Sequence, residues 1–291
     1  MAAQQRKRRW FILSAVGLVL VILGIVWMTV IFPTLDKVPT SYERTYYFVG
    51  NFTVVNPATQ TMDFFPIEQI LAQKANGTKD GALLIHEKRT IVRTDTNPPT
   101  DISSIYGDES TLAIDAHTLK FMPNVDERHR TGSWGPPRGL GEDKNSFDLW
   151  NPGANKPLTA KYVQSEDFRG MNVVLFRIDV GNITLPSSGN QPPLYYKTII
   201  NLWIDPRTGT VVDQDSNTIT SLGPELGNIP VQISNVRYDE RTIVDLMDVA
   251  NDAARMLLLF TTVIPWVLIG VGALLVIIDT FLIWRRQVPR T

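Results

Sequence analysis

The sequence predicts an α+β membrane protein, in which two apolar helices near the termini flank a mainly antiparallel β domain outside the cytoplasm. Three observations carry this. Leu257–Trp284 holds one ionisable side chain, Asp279, in 28 residues, and Trp10–Phe32 holds none. A hydrocarbon core of ~30 Å needs about 20 helical residues, so both runs are long enough to cross. Arg6-Lys7-Arg8-Arg9 precede the first run, and Arg285, Arg286 and Arg290 follow the second. By the positive-inside rule both ends then belong on the cytoplasmic side of the plasma (inner) membrane. Between the runs, aromatic and β-branched segments alternate with Pro/Gly/Asn clusters, the pattern of strands and turns.

The overall charge of −1 hides an asymmetry, because the two tails hold seven Lys/Arg and the part between them is acidic on balance. An acidic exterior excludes nucleic acid as a partner, and the basic tails suit the anionic heads of the lipid bilayer. There is no cysteine. The exported domain must be held by its own core, and thiolate metal sites and thiol catalysis are excluded.

Residues 1–9 form a basic tail and 10–32 the first membrane helix. Its apolar part exceeds the 7–15 residues of a cleaved signal and no A-x-A site follows, so an uncleaved signal anchor is expected. Ser14, Gly17, Val21 and Gly24 fall on one face at three- and four-residue steps, and Gly270 and Ala273 offer a similar face on the second helix. Small residues let helices approach closely, so antiparallel pairing is expected; the plainer alternative is that glycine is common in membrane helices. Pro33 should end the first helix.

Residues 33–238 form the β-rich domain. Strand candidates are Tyr42–Val55, Ala82–Thr94, Ser110–Met122, Thr159–Val163, Met171–Val180, Tyr195–Ile204, Thr210–Val212 and Val231–Val236. Asn56-Pro57-Ala58-Thr59 reads as a tight turn, and Pro123–Asn155 as a long loop that is either a mobile excursion or a lid. Leu112-Ala-Ile114-Asp115-Ala-His-Thr118 and Leu202-Trp-Ile204-Asp205-Pro-Arg-Thr208 share an L-x-I-D-x-x-T pattern 90 positions apart, and Asn56-Pro57 and Asn151-Pro152 add a second pair. Asp115, Asn151 and Asp205 should cap turns, with Thr208 and Gly209 completing the last. The repetition points either to two related lobes, 41–122 and 145–222, or to chance similarity of turns.

Residues 239–256 read as an amphipathic juxtamembrane helix. Ile243, Leu246, Met247, Ala250 and Ala254 recur at helical spacing, Asp245, Asp248 and Asp252 take another face, and Asp239-Glu240 favour the first turn. No Gly or Pro lies between Asp239 and Ile264. One nearly continuous helix is therefore expected from Asp239 to Trp284, bent near Pro265. The second membrane segment occupies 257–284 and a basic tail 285–291.

No catalytic constellation is visible, so no catalytic, cofactor or metal residue is assigned and the chain is not expected to be an enzyme. His86, His117 and His129 are the only histidines, and none has ligand spacing with another. Asp115-x-His117 sits on a turn, where a structural use is the simpler one. There is no G-x-S-x-G elbow, P-loop or G-x-G-x-x-G fingerprint, and Glu142-Asp143 and Glu166-Asp167 read as solvated pairs. Asn51, Asn76 and Asn182 begin N-x-[ST] patterns, which mark accessible surface. Asp279 is the exceptional residue, because a carboxyl within a membrane helix is by default a functional candidate. Arg285 lies six residues on, about 9 Å along a helix, so an interfacial carboxylate paired with Arg285 or Arg286 is the plainer reading.

Leu149-Trp150-Asn151-Pro152 before a strand, Phe168-Arg169-Gly170-Met171-Asn172-Val173 ahead of another, and Trp203-Ile204-Asp205-Pro206-Arg207-Thr208-Gly209 at a turn resemble the porin PorA family of membrane proteins. The resemblance runs from Arg8 to about Arg286. It implies the two-helix architecture but carries over no site residue. A barrel porin needs many strands of about 9–11 residues facing lipid and no apolar helices, so any pore here would come from oligomerisation of the helices. The expected function is a membrane-anchored binding or scaffold protein, an accessory subunit of a larger envelope assembly with a protein partner. The alternative is an oligomeric channel or lipid-handling protein.

Overall fold

The computed structural model describes residues 2–56, 59, 61–185, 192–223 and 229–287, with side chains between residues 12 and 285, Asn56 excepted. Two compact units result: residues 1–37 with 252–291, and residues 38–251. The turn expected at Asn56-Pro57 and the tail residue Arg290 lie outside the described residues.

In the sheet unit the apolar alternation of the chain becomes one antiparallel sheet. Among the described residues it has eleven strands: β1 (Glu43–Asn56), β2 (Thr61–Lys79), β3 (Ala82–Arg93), β4 (Thr100–Asp101), β5 (Asp108–Ile114), β6 (Ser146–Asn151), β7 (Lys156–Phe168), β8 (Met171–Thr184), β9 (Leu194–Ile204), β10 (Val211–Leu222) and β11 (Pro230–Tyr238). Their order is β4-β3-β2-β1-β11-β10-β9-β8-β7-β6, with β5 also on β3. Isolated bridges Ile114–Phe121, Lys120–Ser133 and Ser133–Leu149 carry the pairing from β5 across to β6. Among the described residues the hydrogen-bonded path thus returns to its own edge, and no long strand there is left unpaired as a template for aggregation.

The two lobes of the sequence repeat are not separate bodies. They are two successive meanders of this one ring. The Asp80-Gly81 turn between β2 and β3 and the Arg169-Gly170 turn between β7 and β8 both take two positive φ angles (49° and 82°; 55° and 84°). The turns at Asp115 and Asp205 share a backbone pattern: Asp115 N–H bonds the Lys120 carbonyl as Asp205 N–H bonds that of Thr210, and Leu119 and Gly209 N–H return to the aspartate carbonyls. Leu119 takes the positive φ (58°) that Gly209 takes at 76°. Each meander has its own core, Leu83, Ile85, Leu112 and Ile114 in the first and Val174, Phe176, Ile178, Leu202 and Ile204 in the second.

Several boundaries differ from the sequence reading, each for a local reason. β2 was not among the candidates because Ile67–Ala75 has helical apolar spacing and Pro66 argues against a central strand. Pro66 is nonetheless accommodated, opposite Asn51 of β1. β10 extends far past Val212 through half-buried polar residues that carry no apolar alternation, and β6 lies inside the stretch read as loop. Ser110–Met122 is split by the Asp115 turn.

The apolar segments are helical: α1 (Ala2–Val26), a π-turn (Trp27–Ile31) and α2 (Phe32–Leu35) at one end, α3 (Ser103–Tyr106) within the sheet unit, then α4 (Glu240–Leu258), a second π-turn (Leu259–Val263) and α5 (Ile264–Gln287). Pro33 does not end the first helix: the chain stays helical through the π-turn Trp27–Ile31 and on to Leu35. From Glu240 to Arg285 the chain is helical over 46 residues. Ile243 and Leu246 of α4 pack on Phe48 and Tyr238, and Ala250 packs on Met171, Val173 and Val212. Asp239 caps α4 through its Oδ1, which accepts from the Thr242 N–H at 2.9 Å.

Candidate functional site: the apolar helix pair

Two helices are long and apolar enough to cross a membrane, 12–35 and 240–285. Among the described residues the two helices meet in close glycine contacts and in two polar side-chain contacts. At the centre Gly17 meets Gly272: a Cβ on either would lie 2.5 Å from the other's carbonyl oxygen, closer than any side chain tolerates. Gly24 is similarly enclosed by Ile269 and the Pro265 carbonyl. Gly270 meets nothing within 4 Å, so the expected partner face is corrected to Gly272. Two residues on a helix are separated by about 200°, which puts Gly270 on the opposite side. Ala273, adjacent to Gly272, is partly buried.

Towards the termini, Asp279 is 1% exposed and accepts a hydrogen bond at Oδ2 from the Ser14 hydroxyl. Its Oδ1 is buried and has no partner. The expected interfacial carboxylate is corrected to a buried one held by Ser14, and Arg285 is not its partner, because six residues of helix turn the two side chains to different sides; the Arg286 side chain lies outside the described ones. Arg285 is exposed.

Near the other end lie the two π-turns, and proline explains both. A helical proline clashes with the carbonyl four residues back, which is Thr29 for Pro33 and Thr261 for Pro265. Shifting to i→i+5 bonding relieves the clash: Phe32 N–H reaches the Trp27 carbonyl and Ile264 N–H that of Leu259. The next donor in the second helix would be Pro265, which has no N–H, so the Phe260 carbonyl loses its helical partner. The Trp27 indole supplies one at 2.9 Å, with the two rings stacked at 6.1 Å. Thr29 and Thr261 back-bond to Ile25 and Leu257 at 2.9 and 2.7 Å. Sequence reasoning missed Trp27; its signal was the Thr-x-x-x-Pro spacing present in both helices.

In the sheet unit the expected turn residues lie apart from one another and hold separate turns. Asp205 is fully buried; its Oδ1 accepts from Arg207 N–H and Nε at 3.2 and 2.9 Å, and its Oδ2 from Thr208 Oγ1 at 2.9 Å. Asp115 Oδ1 accepts from the N–H groups of His117 and Thr118 at 2.9 and 2.8 Å. Thr118 foremost, these donors hold the Asp115 carboxyl below its usual range. Asn151 Oδ1 accepts from Ala154 N–H and the Tyr196 hydroxyl. Burial pushes the Tyr42, Tyr46 and Tyr238 hydroxyls up, so they stay neutral donors. His86 stands 3.4 Å from Glu109, and His129 Nδ1 2.8 Å from the Pro123 carbonyl; no cluster of ligating side chains is found among the described residues.

The family model described as Porin PorA matches residues 11–280, nearly the whole of both units. No curated protein matches the chain.

Proposed function

The chain belongs to the porin PorA family, and on that premise we propose that it is a non-enzymatic membrane-anchored binding or scaffold protein of the cell envelope, an accessory subunit of a larger assembly. One observation carries the reading. The sheet closes on itself with side chains filling its inner face, while its outer face carries Lys161, Arg177, Asp179 and Lys197, all exposed. A lipid-facing barrel carries apolar residues there, so this unit is built for water and for contacts made in water. Exposed polar strands on a packed core serve binding, and the helix pair serves to fix them at a membrane.

The alternative, an oligomeric channel, draws on Asp279. A carboxyl with an unpartnered oxygen in an apolar helix pair is the kind of residue that marks an ion or proton path. Reconstitution separates the two readings. Purified full-length protein in liposomes should release no entrapped ions or small solutes, and mild-detergent extracts should hold the chain in stoichiometric complex with a second polypeptide. Solute release by the protein alone, abolished by Asp279→Leu, would establish the channel instead.

A further inference from the structure

We propose that the outer face of β10, β11 and β1 binds a neutral polyhydroxylated chain, a glycan, in the shallow groove along these strands, whose lining mixes amides with apolar surface. The inference rests on the binding reading above and names its ligand class. The groove is open to solvent and has a volume of about 560 Å³. Register places three carboxamides side by side across three strands, Asn51 opposite Asn235 and Asn235 opposite Asn217. One step along, Val49 and Asp215 flank Arg237 in the same way.

The chemistry of this row selects the ligand. A carboxamide offers two donors and an acceptor in one plane, which fits adjacent hydroxyls taken as donor and acceptor together. Asn217 donates to Asn235 Oδ1 at 2.6 Å, which occupies that oxygen and, among the described residues, leaves the Asn235 NH2 without a hydrogen-bond partner. Among the described residues no hydrogen bond of the Asn51 side chain or the Arg237 guanidinium competes for a ligand. Asp215 already accepts from Asn201 at 2.8 Å, and Asn201 from Arg177 at 2.8 Å, so the polar row continues onto β9 and β8. One acid and one base leave the lining without net charge, which favours neither an anionic nor a cationic ligand. Val49 supplies an exposed apolar surface for the C–H face of a sugar ring. Strands stand about 4.8 Å apart, so the amides repeat at the scale of successive sugars in a chain rather than of one small molecule.

The test is calorimetric titration of the full-length protein, purified in detergent from a host without N-glycosylation so that Asn51 is unmodified. Cellohexaose, xylohexaose and chitohexaose are the neutral probes; hexaglutamate and hexalysine are the charged ones. At least one neutral hexamer should bind, and more tightly than its dimer. Replacing two amide contacts together, Asn51→Ala with Asn235→Ala, should weaken it about tenfold or more. Asn172→Ala, at an exposed position of β8 outside the groove, should leave it unchanged. If the alanine pair fails to fold, Asn51→Asp with Asn235→Asp keeps the shape, removes the donors and should lose the same affinity. Absence of neutral-hexamer binding, binding of the charged probes alone, or affinity that survives both pairs overturns the groove. A partner complex that persists without sugar binding would remove the groove alone, and solute release beside intact sugar binding would remove the non-channel reading alone.

Discussion

Asp205 is fully buried in its turn, whereas Asp115, ninety positions earlier, holds an equivalent turn that is half open to water. Asp205→Ala would leave the Arg207 N–H and the Thr208 hydroxyl without their acceptor, and a lost cap or buried acceptor costs about 1–2 kcal/mol. Urea unfolding should report that loss for Asp205→Ala and a smaller one for Asp115→Ala. Asp115 also contributes a pH dependence whose sign follows from its donors. They bond the ionised carboxylate and hold its folded value below the unfolded one of about 3.9. Its stabilisation is therefore complete above the unfolded value and is lost as pH falls through the folded one. Asp115→Asn should flatten that acid limb below about pH 4, and at pH 7 it should lose the part of the stability that the ionised carboxylate contributed.

Elements differ in how much of themselves they wrote into the sequence. The apolar helices were legible because length and lack of charge identify a membrane span, and Gly17 and Gly24 because three- and four-residue steps mark one face. Gly270 in place of Gly272 was an error of rotation: small residues at 270, 272 and 273 leave the facing side undetermined until a partner helix is present. β2 was hidden because helical spacing and Pro66 contradicted a strand that its two neighbours then imposed. Trp27 was hidden because its donor serves a carbonyl orphaned 233 positions away. These distinctions are measurable. Gly17→Leu or Gly272→Leu should overlap the facing backbone and separate the helices, or cost about 1–3 kcal/mol where they give way, while Gly270→Leu should do neither. Cysteine cross-linking between the helices in a bilayer would read both. Trp27→Phe keeps the ring and loses the indole N–H, so it should weaken the pair by about 1 kcal/mol and leave the sheet unit's denaturant midpoint unchanged.

For the molecule as a whole the decisive feature is the count of crossings. Two apolar helices stand on either side of one sheet unit in the chain. If each crosses once, the two ends share a side and the sheet takes the other. The basic residues then choose the side, because Arg6 to Arg9 and Arg285, Arg286 and Arg290 flank the helices at their outer ends, and translocating such clusters is disfavoured. The chain has no cysteine, so single cysteines give an unambiguous readout. One placed at Ala3 or at Val288 should react with an impermeant thiol reagent only after the cells are opened. One placed at Asn172, exposed on β8, should react in intact cells, or after removal of an outer membrane where there is one. Labelling of Ala3→Cys before permeabilisation would reverse the orientation. Labelling of one terminus but not the other would mean that only one helix crosses, and the sheet unit would then share its side with a tail that the charge pattern assigns to the cytoplasm.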